Sequence, residues 1–297
     1  MSTQRLPGSG AKPLDRWLRE LLPGKSWNEV RQLVRTGKVF IDGTALLDPT
    51  RPVPAGAELE LRQNAPRATR TPALPRSAIL HLDAQVVVVD KPAGISTVPY
   101  DENERGTLDQ LVMETISQRG RRAPLGIVHR IDKETSGIVV FTRTLVAKRA
   151  LKNQFRFHTV GRRYTAIAHG VVSGGTIRSR LIDDRGDGRR GSVDDDELGR
   201  EAVTHIKLLE KLKGASLVEC RLETGRTHQI RIHLAERGHP LLGERVYSKG
   251  YRGQQIPAPR LMLHARELAF EHPQTGARLS FERPLPADMQ AVLASLR

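Results

Sequence analysis

One stretch of the sequence places several polar side chains in a loop directly before an apolar strand. It runs from His129 to Gly137 and contains Asp132, and the apolar run Ile138 to Thr142 follows it. Loops positioned by a rigid strand are common places for catalytic residues. A carboxylate there can act as a nucleophile or a general base, although a single aspartate in such a loop is more often a turn or cap residue. The residues alone leave both interpretations of Asp132 open.

A second polar stretch joins a predicted strand to a predicted helix between residues 222 and 234. Gly225 interrupts the strand pattern, and Thr227 is the predicted N-cap of a helix that ends at Gly238. Arg226 then projects from the junction, where its guanidinium can bind a carboxylate or a phosphate through two hydrogen bonds.

A third stretch, Val89 to Gly94, ends a buried strand with a sharp turn. Pro92 lacks an amide hydrogen and Gly94 permits positive φ, so a structural role is the simpler interpretation of this segment.

Several cofactor classes are excluded by what the sequence lacks. Cys220 is the only cysteine, which rules out an internal disulfide, an iron–sulfur cluster and cysteine-rich zinc sites. His228 and His233 are five residues apart and do not share a helical face, so we expect no metal site there. The phosphate-loop, dinucleotide-binding and serine-hydrolase motifs are all missing from the sequence. We therefore expect neither a metal nor a nucleotide cofactor.

The charge balance points to a polyanionic partner. The chain of 297 residues carries 48 Lys and Arg against 33 Asp and Glu, a net charge of +15. No apolar run approaches the roughly 20 residues that span a bilayer, and the first ten residues lack the apolar core of a signal peptide. We therefore expect a cytoplasmic protein that binds nucleic acid and not a membrane.

The first 62 residues predict a small α/β domain with its core at about 13–62. Apolar spacing predicts a helix near residues 14–22, and Ser26 and Glu29 form a capping box that begins a second helix. Asp42-Gly43 predicts a tight hairpin turn, and a last short strand contains Leu59 and Leu61. This arrangement resembles the S-four-type RNA-binding domain.

The second predicted helix also carries a basic stripe. Arg31, Arg35 and Lys38 are spaced so that they lie away from its apolar face. They are candidate RNA-binding residues, and a solvated helix face explains the same pattern equally well.

Residues 63–77 are rich in proline and arginine and predict a flexible linker to a second domain at 78–297. That domain mixes helices with adjacent strands without a regular βαβ repeat, which predicts an α+β fold with a mixed, mostly antiparallel sheet. The polar, glycine-containing segment 183–200 is interpreted as a mobile insertion.

The three stretches and further short segments along the chain resemble the motifs of the RluA-type pseudouridine synthases over about residues 78–297. The matching segments are Asp90 to Gly94, His129 to Asp132 with Thr135 to Gly137, Tyr164 to Ala166, Thr224 to Arg231 with His239, Pro240 and Gly243, and Leu263 to Ala265. Three positions depart from the family pattern: Ile131 in place of Leu, Arg163 in place of Lys and Glu244 in place of Asp. None of these departures removes a catalytic group.

The resemblance implies an enzyme that isomerises uridine in RNA to pseudouridine without a cofactor. Asp132 matches the essential aspartate and Arg226 the arginine that pairs with it. Tyr164 matches the active-site tyrosine, and Ile230 would form an apolar wall against the base. Because the base must be flipped out of the RNA, Arg130 matches the side chain that fills the vacated space.

Two other interpretations belong to different functional classes. The chain could be a non-catalytic RNA-binding or ribosome-assembly factor on the same fold, which the intact Asp132, Tyr164 and Arg226 argue against. It could be a DNA-binding protein that uses the helix pair at 14–36, but that leaves the later motifs without a use. The two-domain layout resembles family members that act on large-subunit ribosomal RNA, and we expect a monomer.

Overall fold

The computed structural model describes residues 2–7, 11–65, 74–101, 104–117, 124–195 and 197–297. The chain forms two compact units, residues 1–73 and 74–297. No helix in the described part of the chain is long and apolar enough to cross a membrane.

The first unit packs two short helices with small antiparallel sheets. Its elements are β1 (Ser2–Arg5), β2 (Ala11–Pro13), α1 (Leu14–Leu21), α2 (Trp27–Arg35), β3 (Val39–Ile41), β4 (Thr44–Ala45), β5 (Pro52–Pro54) and β6 (Glu58–Leu61). The strands form a sheet in the order β1-β6-β3-β4 and a separate β2–β5 pair.

Local sequence signals explain both helices and the hairpin of this unit. The predicted capping box is present, since the Ser26 hydroxyl accepts the Glu29 amide and the Glu29 carboxylate accepts the Ser26 amide. Asp42 and Gly43 have φ of 48° and 75°, as the predicted two-residue turn between β3 and β4 requires. The apolar faces of α1 and α2 meet in a core around Trp17, whose indole donates to the Val53 carbonyl at 3.0 Å.

The second unit is built on one large sheet. Its strands are β7 (Ile79–Leu82), β8 (Val86–Lys91), β9 (Gly126–Ile127), β10 (Ser136–Thr142), β11 (Gly161–His169), β12 (Gly175–Ile182), β13 (Gly191–Val193), β14 (Arg200–Leu212), β15 (Ala215–Leu222), β16 (Leu263–Glu271) and β17 (Arg278–Glu282). Its helices are the short 3₁₀ turn Arg76–Ala78 and α3 (Leu108–Ile116), α4 (Leu145–Arg156), α5 (Gln229–Glu236) and α6 (Ala287–Leu296).

The strand order is β13-β12-β14-β15-β11-β16-β10-β8-β7, with β17 beside β16 and β9 beside β10. Among the described strand pairs only β10–β16 is parallel, so the predicted α+β fold with a mixed, mostly antiparallel sheet is confirmed.

Both faces of the central strands are covered, which explains why their sequences are continuously apolar. In β8, Val87 and Val89 belong to one buried cluster, whereas Val86 and Val88 belong to another on the opposite face. Strand β10 alternates in the same way, because successive side chains of a strand point to opposite faces.

The structure differs from part of two expectations about irregular segments. Leu74, inside the predicted linker, is buried in the core of the second unit, and residues 76–78 form the 3₁₀ turn; residues 66–73 lie outside the described part. Within segment 183–200, residues 191–193 form β13 and pair with β12. Ser192 adds a 2.8 Å hydrogen bond from its amide to the carboxylate of Glu236, which attaches β13 to α5.

Candidate active site

Asp132 lies in the loop between β9 and β10, and its backbone is fixed by the turn that follows β8. The Thr97 hydroxyl donates to the Ile131 carbonyl at 2.8 Å. The Lys133 carbonyl accepts the Gly94 amide at 2.8 Å and the Lys91 ammonium at 3.0 Å. The segment that the sequence assigned a structural role, together with Thr97, therefore holds the peptide units on either side of Asp132.

Lys91 is fully buried beneath this loop. Its ammonium donates to three backbone carbonyls, those of Pro92, Ile95 and Lys133. Burial lowers the pKa of Lys91 to about 7.

The carboxylate of Asp132 faces a cleft and pairs with Arg231. Its side chain is 20% exposed, and its Oδ2 atom lies 3.3 Å from Nη1 of Arg231. Nε2 of His228 is 4.0 Å from the same oxygen. Arg231 therefore donates a hydrogen bond to the Asp132 side chain while leaving it accessible from the cleft.

Glu244 fixes the orientation of Arg231. Its side chain is fully buried and accepts from Nε and Nη2 of Arg231 at 2.7 and 2.8 Å, which leaves Nη1 to point at Asp132. The amides of Val246 and Tyr247 also donate to Glu244. Burial raises the pKa of Glu244, but the hydrogen bonds and charge of Arg231 together with the amides of Val246 and Tyr247 outweigh it and hold the pKa below its usual range.

The expected pairing of Arg226 with Asp132 was wrong. Arg226 lines the cleft, but its Nε donates to the Glu201 carbonyl at 2.9 Å. The reason is the turn before α5, where the Gln229 side chain accepts the Arg226 amide at 3.0 Å and the Thr224 hydroxyl at 2.8 Å. This turn directs Arg226 back towards β14, while Arg231 lies on the helix itself.

The start of α5 also differs from the prediction. His228, in the left-handed conformation with φ of 60°, precedes the first helical residue, so Thr227 is not the N-cap. Nδ1 of His228 lies 2.8 Å from the Tyr247 hydroxyl, and burial lowers the pKa of His228. No group of three or more potential metal ligands comes together among the residues that the structure describes.

Tyr164 and Ile230 form apolar walls of the same cleft. Tyr164 lies on β11 and Ile230 on α5, and both are buried. Burial raises the pKa of Tyr164 to about 12, so its phenol stays protonated in the neutral range. The cleft has a volume of about 470 Å³, and Leu222 and Leu263 add further apolar surface.

The rim of the cleft is basic. Arg130 is exposed at its edge, and Arg156, Arg162 and Arg226 also line it. Arg162 is buried, stacks over Phe155 at 5.6 Å and donates to the Glu223 carbonyl at 2.5 Å. A cleft with an apolar floor and these four arginines in addition to Arg231 suits a planar base attached to a polyanion.

The predicted basic stripe of the first unit is only partly present. Arg31 is paired with Asp15 at 2.9 Å, and Arg35 is exposed. Lys38 is not on the helix, because α2 ends at Arg35, and its ammonium donates to the Ala65 carbonyl. The three side chains therefore have different environments.

Arg231 and Glu244 are the residues that the sequence reasoning missed. A signal for Arg231 was present, since it directly follows Ile230 on a helix whose other residues are almost all buried. A charged residue in such a helix requires a charged partner.

The comparisons with known proteins agree with this geometry. The family model described as RNA pseudouridylate synthase matches residues 85–236, and the S4 domain model matches residues 12–59. The chain is 36% identical to ribosomal large subunit pseudouridine synthase D of Xylella fastidiosa, with 98% of this chain and 90% of that protein covered. The protein of the same name from Pseudomonas aeruginosa is 35% identical, with 97% and 93% covered.

A solved structure gives the same result. Human RNA pseudouridylate synthase domain containing 4 superposes with a TM-score of 0.60 at 26% identity, over 73% of this chain and 92% of that one. Together with relatives that match almost the whole sequence, this likeness shows that the chain belongs to the RNA pseudouridylate synthase family.

Proposed function

We propose that this protein converts uridine in large-subunit ribosomal RNA to pseudouridine, with Asp132 as the essential carboxylate. The single observation that carries the proposal is the Asp132–Arg231 pair, which lies in a 470 Å³ cleft beside Tyr164 and Ile230. The RNA class is supported by the names of the most similar relatives.

The cleft suits one nucleotide that has been flipped out of the RNA. Its volume falls within the range of small-ligand sites, and Tyr164 and Ile230 offer flat apolar surface to a uracil ring. Removing a base from its stack costs a few kcal/mol, which these contacts offset. Arg130, exposed at the rim, is positioned to occupy the vacated space.

The isomerisation breaks the bond between N1 of uracil and C1′ of the ribose, turns the base, and forms a bond from C5 to C1′. C5 then loses its hydrogen as a proton and N1 takes up a proton, so the product has the same composition as the substrate. Asp132 either attacks as a nucleophile or removes a proton from the sugar, and both roles require the ionised form that Arg231 stabilises. Tyr164 contributes its ring and a protonated hydroxyl beside the base.

The first unit would add affinity and target choice. Its exposed Arg35 and half-exposed Arg31 can contact the RNA backbone, and a linked second module raises the effective concentration of RNA at the cleft. We infer a monomer that works in the cytoplasm without a metal or organic cofactor.

Mapping of pseudouridines in cells that lack this protein tests the proposal. Large-subunit ribosomal RNA should lose pseudouridine at specific positions, and wild-type protein should restore it. Asp132→Asn should not restore it, because the change keeps the shape but removes the charge, while the purified variant should bind RNA within about twofold of wild type. An unchanged modification map, or full restoration by Asp132→Asn, would contradict the proposal.

A further inference from the structure

Helix α4 carries a row of cations on its exposed face that leads to the cleft. Arg149, Lys152 and Arg156 are all exposed, and their spacing of three and four residues places them on one face. The helix contains no acidic residue. We call these three side chains the α4 basic row.

The row lacks counter-charges. None of its three residues makes an ion pair with any residue that the structure describes. Like charges three and four residues apart repel one another, so the row weakens the helix unless an anion binds along it. This distinguishes the row from exposed charges that already have a partner, such as Arg297 with Glu210.

The row ends beside an exposed aromatic ring whose two chain neighbours line the cleft. Phe157 follows the last helical residue and is 67% exposed. Its neighbours Arg156 and His158 both line the cleft, and the Arg156 guanidinium lies 5.5 Å from the Phe157 ring centroid. A large exposed ring beside a guanidinium is a stacking surface for a nucleobase.

A flipped uridine leaves the neighbouring base with one face unstacked. Phe157 is exposed and stands between two residues that line the cleft, Arg156 and His158, so its ring can replace the lost stacking partner. The α4 basic row extends from the cleft for about 10 Å, the length of seven helical residues. This places the row where it can follow the backbone of the RNA strand that carries the flipped uridine.

We propose that α4 is the docking surface for the unpaired RNA strand next to the target uridine, with Phe157 stacking on a neighbouring base and the α4 basic row contacting its phosphates. This proposal rests on the proposed function, since it concerns the same RNA substrate.

Binding of two labelled RNAs to the full-length protein tests the surface. The probes are a single-stranded oligouridylate and a blunt-ended RNA duplex, each followed by fluorescence anisotropy. Phe157→Ala should weaken oligouridylate binding about tenfold, within the range for loss of one base–aromatic stack, and should leave duplex binding unchanged. Phe157→Trp should restore the affinity because it keeps an aromatic face.

The basic row is tested through salt dependence. Arg149→Gln combined with Lys152→Gln should make the log–log slope for the oligouridylate shallower by about 1.4, since each phosphate contact on a single strand contributes about 0.7. The matched control is Lys207→Gln with Lys211→Gln, which removes two exposed charges from β14 at positions that do not line the cleft. The control should keep the wild-type slope.

The outcomes separate this proposal from the proposed function. The proposal is overturned if Phe157→Ala binds oligouridylate like wild type, if it loses the duplex equally, or if the control pair changes the slope as much as the row. It is also overturned if wild type is a dimer that Phe157→Ala dissociates, because the face would then bind a second copy. Failure of wild type to restore pseudouridine in cells would reject the function without deciding the binding result.

Discussion

Replacing Glu244 by glutamine tests whether the Glu244–Arg231 pair orients Asp132. The new amide nitrogen would face either the Arg231 guanidinium or the Val246 amide, and both are donors that need an acceptor. Loss of one partner from a buried ion pair typically costs 3–5 kcal/mol of stability. Because Asp132 remains 3.3 Å from Arg231, we expect the lower end, about 3 kcal/mol.

The kinetic effect should appear in kcat and not in KM. Without Glu244, only Asp132 holds the guanidinium, and Arg231 should move towards it and shift the carboxylate. A misplacement of about 1 Å lowers a rate about 100-fold, which corresponds to roughly 2.7 kcal/mol of barrier. Glu244 does not line the cleft, so RNA binding should be unchanged. Release of tritium from uridine labelled at C5, measured at saturating RNA, reports kcat.

Two further variants keep this prediction decisive. Glu244→Asp retains the charge on a shorter side chain and should lose no more than tenfold in kcat. This variant tests the role of the charge even if the glutamine variant fails to fold. Glu210→Gln removes a carboxylate from the exposed pair with Arg297 and should leave kcat unchanged. A folded Glu244→Gln protein with kcat within twofold of wild type would refute the reasoning.

The pH dependence of stability gives an independent check. The folded-state pKa of Glu244 lies below its usual range, so its stabilising contribution is present above the unfolded pKa of about 4.3. It is lost as the pH falls through the folded pKa. The stability difference between wild type and Glu244→Gln should therefore shrink in acid, and a difference that grows there would contradict the assignment.

Three more predictions concern the base site, cofactors and the first unit. Because the pKa of Tyr164 is raised to about 12, its stabilising contribution is present below pH 10 and is lost as the pH rises through 12. Between pH 10 and 12, Tyr164→Phe should therefore lose less thermal stability than wild type does. Equal losses in the two proteins would contradict this prediction. Dialysis against a strong chelator should leave turnover unchanged, and a loss reversed by one specific divalent ion, with the RNA fold intact, would show a metal requirement. Residues 74–297, which keep the buried Leu74, should retain turnover at high RNA concentration but bind ribosomal RNA more weakly and with a shallower salt slope than the full chain. Arg35→Gln in the full chain should reproduce part of that loss of affinity. If both the 74–297 protein and Arg35→Gln keep the wild-type affinity and salt slope, the cations of the first unit face solvent and do not contact RNA.

The elements were predictable wherever the determining signal is local. Strand β8 (Val86–Lys91) contains a run of four valines, and helix α4 begins directly after Thr144, whose hydroxyl accepts the Ala147 amide. Alternation, caps and turn residues act within a few positions, so the sequence displays them directly. The parallel pairing of β10 with β16 joins Ser136 to His264, and no local pattern specifies that partner.

The active-site pairing shows where local reasoning ends. Arg226 and Arg231 are five residues apart and both can bind a carboxylate, so their spacing from Asp132 in the sequence does not distinguish them. The choice depends on where α5 begins, and that start is set by Gln229, whose side chain bonds to Thr224 and Arg226 within the turn and to Val203 on β14. It also depends on Glu244, which lies thirteen residues beyond Arg231. Glu244 binds the other guanidinium nitrogens of Arg231 and so directs Nη1 of Arg231 towards Asp132. A buried cation is placed by all of its partners together, and the sequence identifies Asp132 without identifying those partners.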